Sequence, residues 1–374
     1  MNTNPHDFIP LLKDKDHSFI QLIGYIFLIL LPVAILSCES NEENNTISPA
    51  YFNTPDTLSF QTGGVQIIPV KNEKGIFNIW TKRIGNNVKI KILVLAGGPG
   101  LPHDYLEVFE SFFPKEGFEL IYYDELGCGN SDHPEDPSLF NMNRSVEEVE
   151  QVREALHLDK DNFYLYGHSW GGALAMEYAI KYQKNLKALI VSNMCSSGKE
   201  FNRYVRTVLF KTLPRKVQDS LINLEAKGDM DNPKYSELVM EHFYERYICR
   251  MPVNEWPEPL ARAFGKMNKS YYLAMQGHSE FGFTGKLKDW DISMKLPQIT
   301  VPTLTIGAKY DEMDPSHMRW MSNQVQNGSY LYAEQGSHLS MYDDQQFYMK
   351  GIIAFIKGIN SGAKNVLLTT AQSE

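Results

Sequence analysis

The residues with the clearest chemical potential lie in the segment NFYLYGHSWGGALAMEYA, residues 162–179. Ser169 sits in Gly167-His168-Ser169-Trp170-Gly171, after a strand-like apolar run and before a helix-like one. Small residues two before and two after a serine allow a tight strand-to-helix turn, which lifts the hydroxyl above a sheet and aims a helix N-terminus at it. A hydroxyl so placed is a candidate nucleophile for acyl transfer. It needs a base, and the base needs an acid to orient it. In a sheet of this type the partners follow in the order serine, acid, histidine, at the carboxyl ends of later strands. Asp311 comes directly after VPTLTIGAKY and His338 directly after SYLYAEQGS, where that order requires them. Two rivals stand nearby. Asp314 is farther from the strand end and precedes Pro315, and His317 reads as a surface residue of the following helix, so Asp311 and His338 are preferred. A tetrahedral intermediate also needs two donors for its oxyanion. The backbone N–H of Trp170 is one candidate, and Gly98, in the AGGPG stretch after an earlier strand, is the other.

These groups need elements to hold them. The chain has 374 residues, 43% of them hydrophobic and 12% aromatic, enough for one large core with an insertion. Two strand-like runs, LSFQTGGVQIIPV and IFNIWTKRI, are separated by turn residues and read as an antiparallel start. From Lys89 onward short, wholly apolar runs alternate with helical segments: IKILVLAGG, FELIYYDELG, NFYLYG, LKALIVSNM, VPTLTIGAKYD and SYLYAEQGSHL. Continuous apolar strands alternating with helices indicate an α/β fold, a mostly parallel sheet covered by helices on both faces. About a hundred residues between Met194 and Val301 carry no strand-like run, too long for a loop, and read as a helical insertion lying over one edge of the sheet.

Net charge is −9, and the basic residues form no extended patch, which argues against a nucleic-acid partner. The stretch GCGNSD, residues 127–132, lacks the third glycine of a dinucleotide fingerprint, and neither GxxxxGK[ST] nor HExxH occurs, so no cofactor or metal is expected. Cys128, Cys195 and Cys249 are widely spaced, without a CxxC pair, and read as packing residues.

The N-terminus has its own composition. Lys13 and Lys15 precede an apolar stretch from Phe19 to Cys38, and a polar run follows. This resembles a bacterial lipoprotein signal, with residues 1–37 removed, Cys38 lipidated and residues 38–56 a polar spacer. The alternative is an uncleaved anchor. Either reading ties the chain to a membrane and puts the folded part outside the cytoplasm, lipid-anchored in the first case.

Several linked motifs, in order over residues 60–359, resemble the proline iminopeptidase (prolyl aminopeptidase) group of α/β-hydrolase serine peptidases, in its tricorn-interacting aminopeptidase branch. They are GGPG, YYDELGCGNSD, GHSWGGALAMEYAIKYQ, NPKYSELVMEHFYERYICR, SEFGFTGKLKDWD, IGAKYDEMDP and GSHLSMYDD. The resemblance implies an α/β-hydrolase core over residues 57–195 and 291–360, a helical cap over 196–290, and a tail from 361 to 374. It places the family's triad on Ser169, Asp311 and His338. It also implies that Glu280 and Glu312 hold the free α-amino group of the substrate, since a partly desolvated ammonium needs anionic partners. The expected activity is removal of single N-terminal residues from short peptides with a free N-terminus. An esterase, lactonase or amino-acid amidase on the same scaffold is the alternative, and a silent binding module is disfavoured by the complete triad. Two positions depart from the family: Ala96 stands where a histidine usually precedes Gly-Gly-Pro-Gly, and Glu125-Leu126 replace Gln-Arg, a change expected to reshape the pocket floor.

Overall fold

A computed structural model describes residues 64–278 and 280–362. The proposed signal segment, Cys38, the polar spacer, the first residues of the antiparallel start and the tail beyond Gly362 lie outside the described residues. Strands β1 (Val65–Asn72) and β2 (Gly75–Ile84) form the expected hairpin, with Asn72 opposite Gly75 at the turn. Then come β3 (Lys91–Leu95), β4 (Glu119–Tyr123), β5 (Phe163–His168), β6 (Ala188–Ser192), β7 (Thr303–Tyr310) and β8 (Gly328–Ser337). They make one eight-stranded sheet in the order β1-β2-β4-β3-β5-β6-β7-β8, antiparallel from β1 to β4 and parallel from β4 to β8. Every residue of β4, β5 and β6 is buried, which is why those strands are mostly apolar rather than alternating, with polar residues only at their ends: Glu119, His168 and Ser192.

The helices are α1 (Met142–Ala155), α2 (Trp170–Tyr182), α3 (Gly198–Tyr204), α4 (Arg215–Ala226), α5 (Pro233–Val239), α6 (Glu258–Gly265), α7 (Lys269–Met275), α8 (Pro315–Gln324), α9 (Ser340–Asp343) and α10 (Gln345–Asn360). Asn141 opens α1 by accepting a hydrogen bond from Arg144 N at 2.9 Å. Helix α2 is rich in Gly and Ala because it lies hard against the sheet. A Cβ on Gly171 would stand 2.2 Å from the Leu95 carbonyl oxygen, and one on Gly172 would stand 2.8 Å from Met194 Cβ.

Among the described residues the insertion between β6 and β7 is helical, with α3 to α7 and two stretches of wider helix, Val205–Leu209 and Met240–Ile248. An isolated antiparallel bridge between Ser197 and Asp291 draws its two ends together. The cap lies across the carboxyl ends of the strands, not over one edge of the sheet as the sequence suggested. The loops after the strands expose backbone groups that helices can satisfy. Asn268 N donates to Gly100 O at 2.9 Å after β3, and Asn268 Nδ2 donates to Gly127 O at 2.8 Å after β4. His338 N and Leu339 N, after β8, donate to Tyr247 O and Ile248 O at 2.9 and 2.8 Å.

Candidate active site

Ser169 stands between β5 and α2 with φ 54° and ψ −124°, a conformation that costs a non-glycine residue about 1–3 kcal/mol. Its neighbours leave no choice. A Cβ on Gly167 would fall 2.0 Å from Gly171 O, so both flanking positions of the turn exclude a side chain. The Ser169 carbonyl accepts from Gly172 N at 2.7 Å, which makes the serine the N-terminal boundary of α2 and puts the positive end of that helix beside its hydroxyl.

Asp311 follows β7 and His338 follows β8, as expected. His338 Nδ1 lies 2.9 Å from Asp311 Oδ1, with Asp311 fully buried. The carboxylate accepts the Nδ1 proton, which leaves Nε2 as the basic nitrogen. Ser169 and His338 line the same cavity. Asp311 is itself held: its Oδ2 accepts from Asn193 Nδ2 at 2.7 Å, and its Oδ1 accepts from Met313 N at 3.0 Å. The sequence reading missed Asn193, which follows β6 with a left-handed φ of 53° and also donates to Ser337 O. The rivals have other work. Asp314 caps α8 through Ser316 N at 2.9 Å and pairs with Arg203 at 3.1 Å. His317 is not the surface residue expected: it is half-buried, with Nε2 3.0 Å from Ser196 Oγ, and burial holds its pKa below the usual imidazole range.

Gly98 has φ 109°, and a Cβ there would stand 2.8 Å from the amides of Gly100 and Leu101, so the loop requires glycine. Gly98 and Ser169 share two cavities, and Trp170 joins them in the second. With Ala96 in place of the family's histidine, the loop is held from another side. Gly97 N donates to the Tyr105 hydroxyl at 2.7 Å, and that hydroxyl lies 2.9 Å from His168 Nδ1. His168 Nε2 donates to His338 O at 2.8 Å. Burial, and then the nearby His338, push the His168 pKa well down, so a neutral ring with its proton on Nε2 satisfies every partner. One chain of hydrogen bonds thus joins the glycine loop to the backbone of the base. Neither Tyr105 nor the histidine inside the GHSWG motif drew notice in the sequence.

Glu125 is held in a buried network beside a small cavity that it shares with Leu95, Ala96 and Leu101. Its Oε2 accepts from the Trp170 indole Nε1 at 2.9 Å, and its Oε1 from Arg144 Nη2 at 2.8 Å and from the Ser145 and Tyr271 hydroxyls. One carboxylate therefore ties the residue after Ser169 to α1 and to cap helix α7. Cys128, Cys195 and Cys249 are buried and free, as packing residues should be.

Glu280 and Glu312 lie beside these groups. Glu280 lines both cavities and accepts from the Tyr272 hydroxyl and from Gln276 Nε2, each at 2.7 Å. Burial is the main cause that pushes its pKa up to about 7. Glu312 is fully buried, neither oxygen has a hydrogen-bond partner, and Oε1 lies 3.5 Å from His338 Nε2. Burial first, then Glu280 and Asp311, raise its pKa well above the carboxylate range. Glu280 on the cavity wall and the buried Glu312 beside His338 Nε2 are the complement of a cation with several donors.

Comparison with known proteins gives the family. The family description "alpha/beta hydrolase fold" matches residues 91–345. A protein of Chitinophaga pinensis named proline iminopeptidase is 65% identical over 299 residues, 80% of this chain and all of that protein. The chain belongs to the proline iminopeptidase family. A second proline iminopeptidase, of Flavobacterium johnsoniae, is 51% identical over 299 residues, again 80% of this chain and all of the relative. The solved proline iminopeptidase of Mycobacterium smegmatis superposes with a TM-score of 0.71 at 25% identity, covering 79% of this chain and 99% of that one. As a member of the proline iminopeptidase family the chain is a hydrolase, and its activity is that of an aminopeptidase.

Proposed function

We propose that this protein releases single N-terminal residues, proline among them, from short peptides through an acyl-enzyme on Ser169. The observation that carries the reading is the Glu280–Glu312 pair: Glu280 lines the cavities that hold Ser169, and Glu312 lies buried behind them, its oxygens without a hydrogen bond and Oε1 3.5 Å from His338 Nε2. The α-ammonium of the substrate docks there, which fixes the first carbonyl at the serine. Ser169 Oγ attacks that carbonyl as His338 Nε2 takes its proton, and Asp311 stabilises the imidazolium that forms. The N–H groups of Gly98 and Trp170 receive the oxyanion. The imidazolium then gives its proton to the leaving amine, and the same histidine activates the water that frees the first residue. A Ser169→Ala variant that still cleaves proline p-nitroanilide would refute the mechanism. A wild-type enzyme that cleaves N-acetylproline p-nitroanilide as fast as the free form would refute the amine site.

The N-terminal segment supports a location as well: a lipid on Cys38, with the folded part held at a membrane outside the cytoplasm. The support is the basic flank and apolar stretch ahead of that cysteine. Among the described residues no helix is long and apolar enough to cross a membrane. Incorporation of labelled palmitate into the wild type, and its loss in Cys38→Ala together with release from the membrane fraction, is the expected result. Equal membrane retention of both proteins would sink it.

A further inference from the structure

Two chambers meet at Ser169. Gly98, Ser169 and Glu280 line both. The smaller and tighter one has Trp170, Gln276 and Met313 in its wall; the larger contains His338. The proposed mechanism tells them apart. His338 must deliver a proton to the leaving amine, so the peptide beyond the scissile bond occupies the chamber that holds His338. The first residue occupies the other.

The wall of the larger chamber is built by Leu101, Tyr244, Ile248, Phe264, Met267 and Leu339. Leu101, Tyr244, Ile248 and Leu339 are buried. Its lining includes no Lys, Arg or Asp; Glu280 and His338 are engaged in the reaction proposed above, and His168 is tied by hydrogen bonds to Tyr105 and to the His338 carbonyl. The wall is also preformed. Leu339 N donates to Ile248 O at 2.8 Å, which fixes the cap to the loop of the base. Phe264 and Met267 flank the junction of α6 and α7, and there Asn268 N donates to Gly100 O at 2.9 Å. On the outer side of α6, Arg262 pairs with Asp104 and Glu107 beneath it.

We propose that this chamber selects the second residue of the peptide and favours a large apolar side chain there. The inference rests on the proposed function. A Leu or Phe side chain leaves water for an apolar wall of fixed shape. An acidic side chain would lose its hydration without finding a cationic partner and would face Glu280. The first residue sets whether the amine docks; the second sets how tightly the leaving half is held.

The test uses the full chain and four dipeptide amides, Pro-Phe-NH2, Pro-Leu-NH2, Pro-Gly-NH2 and Pro-Asp-NH2, scored by the free proline released. The wild type should show kcat/KM at least about tenfold higher for Phe and Leu than for Gly, with Asp lowest. Met267→Lys and Phe264→Ala should lower the Phe-to-Asp ratio about tenfold or more, with labelling of Ser169 by a fluorophosphonate retained as the sign of a folded site. Equal kcat/KM within about twofold across the four amides in the wild type overturns the inference, whatever the variants do. Labelled variants with an unchanged ratio overturn it too. Release of no proline from any amide is a different failure, that of the proposed function itself.

Discussion

Glu312→Gln isolates the charge on which the amine site depends. The side chain is fully buried and neither oxygen is hydrogen-bonded; its one charged neighbour at Oε1 is His338 Nε2, 3.5 Å away, so an ammonium arriving there finds acceptors still free. The glutamine is nearly isosteric and keeps one acceptor, but it removes a charge-assisted hydrogen bond worth about 1.5–3 kcal/mol. At about 1.4 kcal/mol per decade, kcat/KM for proline p-nitroanilide should fall roughly 10- to 150-fold. An ester without an ammonium, p-nitrophenyl acetate, should lose far less, because the serine, the base and the oxyanion donors are all still present. Stability should move the other way. A carboxyl whose folded pKa lies well above its unfolded value contributes most at low pH and takes stability away as pH rises through that folded pKa. At pH 8 the Gln variant should therefore have the higher Tm, and at pH 5 the two proteins should converge. A loss of less than about threefold on the anilide, or an equal loss on anilide and ester, would refute the reasoning.

Other expectations follow from the same geometry. With Glu280 pushed up to about 7, kcat/KM for peptides with a free amine should drop as pH falls below about 7, and the pH-rate profile of Glu280→Gln should lack that limb. Asp311→Asn should keep the fold but lower kcat by about 10⁴-fold, because an amide facing His338 Nδ1 favours the wrong tautomer; a circular dichroism spectrum and a kcat measurement check both halves. Tyr105→Phe removes the hydroxyl that accepts from Gly97 N and meets His168, so kcat should fall about tenfold or more with KM little changed. A rise in KM alone would put the effect in binding instead.

Much of the fold was legible in the sequence because strands buried on both faces are apolar along their whole length, as Phe163–Tyr166 and Ala188–Val191 are. The pairing of Asp311 with His338 near Ser169 was legible because sheet topology imposes an order along the chain and each of the two follows a strand. Glu280 and Glu312 carried no pattern of their own, and only the resemblance singled them out. What escaped notice are pairings across long separations. Asn193 meets Asp311 from 118 residues away, Tyr105 meets His168 from 63, and Glu125 meets Tyr271 from 146. No local periodicity records such contacts. The position of the cap was misjudged for a related reason: its anchors are backbone carbonyls of Gly100 and Gly127, which have no side-chain signature.

The split of the proposed triad across the cap has a consequence for how the enzyme comes into being. Ser169 is complete as a turn once β5 and α2 have formed, but its acid and base arrive on β7 and β8, after the whole insertion. Long loop closures of this kind are slow steps in folding. A nascent or truncated chain that ends within the cap carries the nucleophile with no base to activate it. Hydrolytic power therefore appears only when the final strands join the sheet, so the fold itself acts as the inhibitor of its unfinished forms.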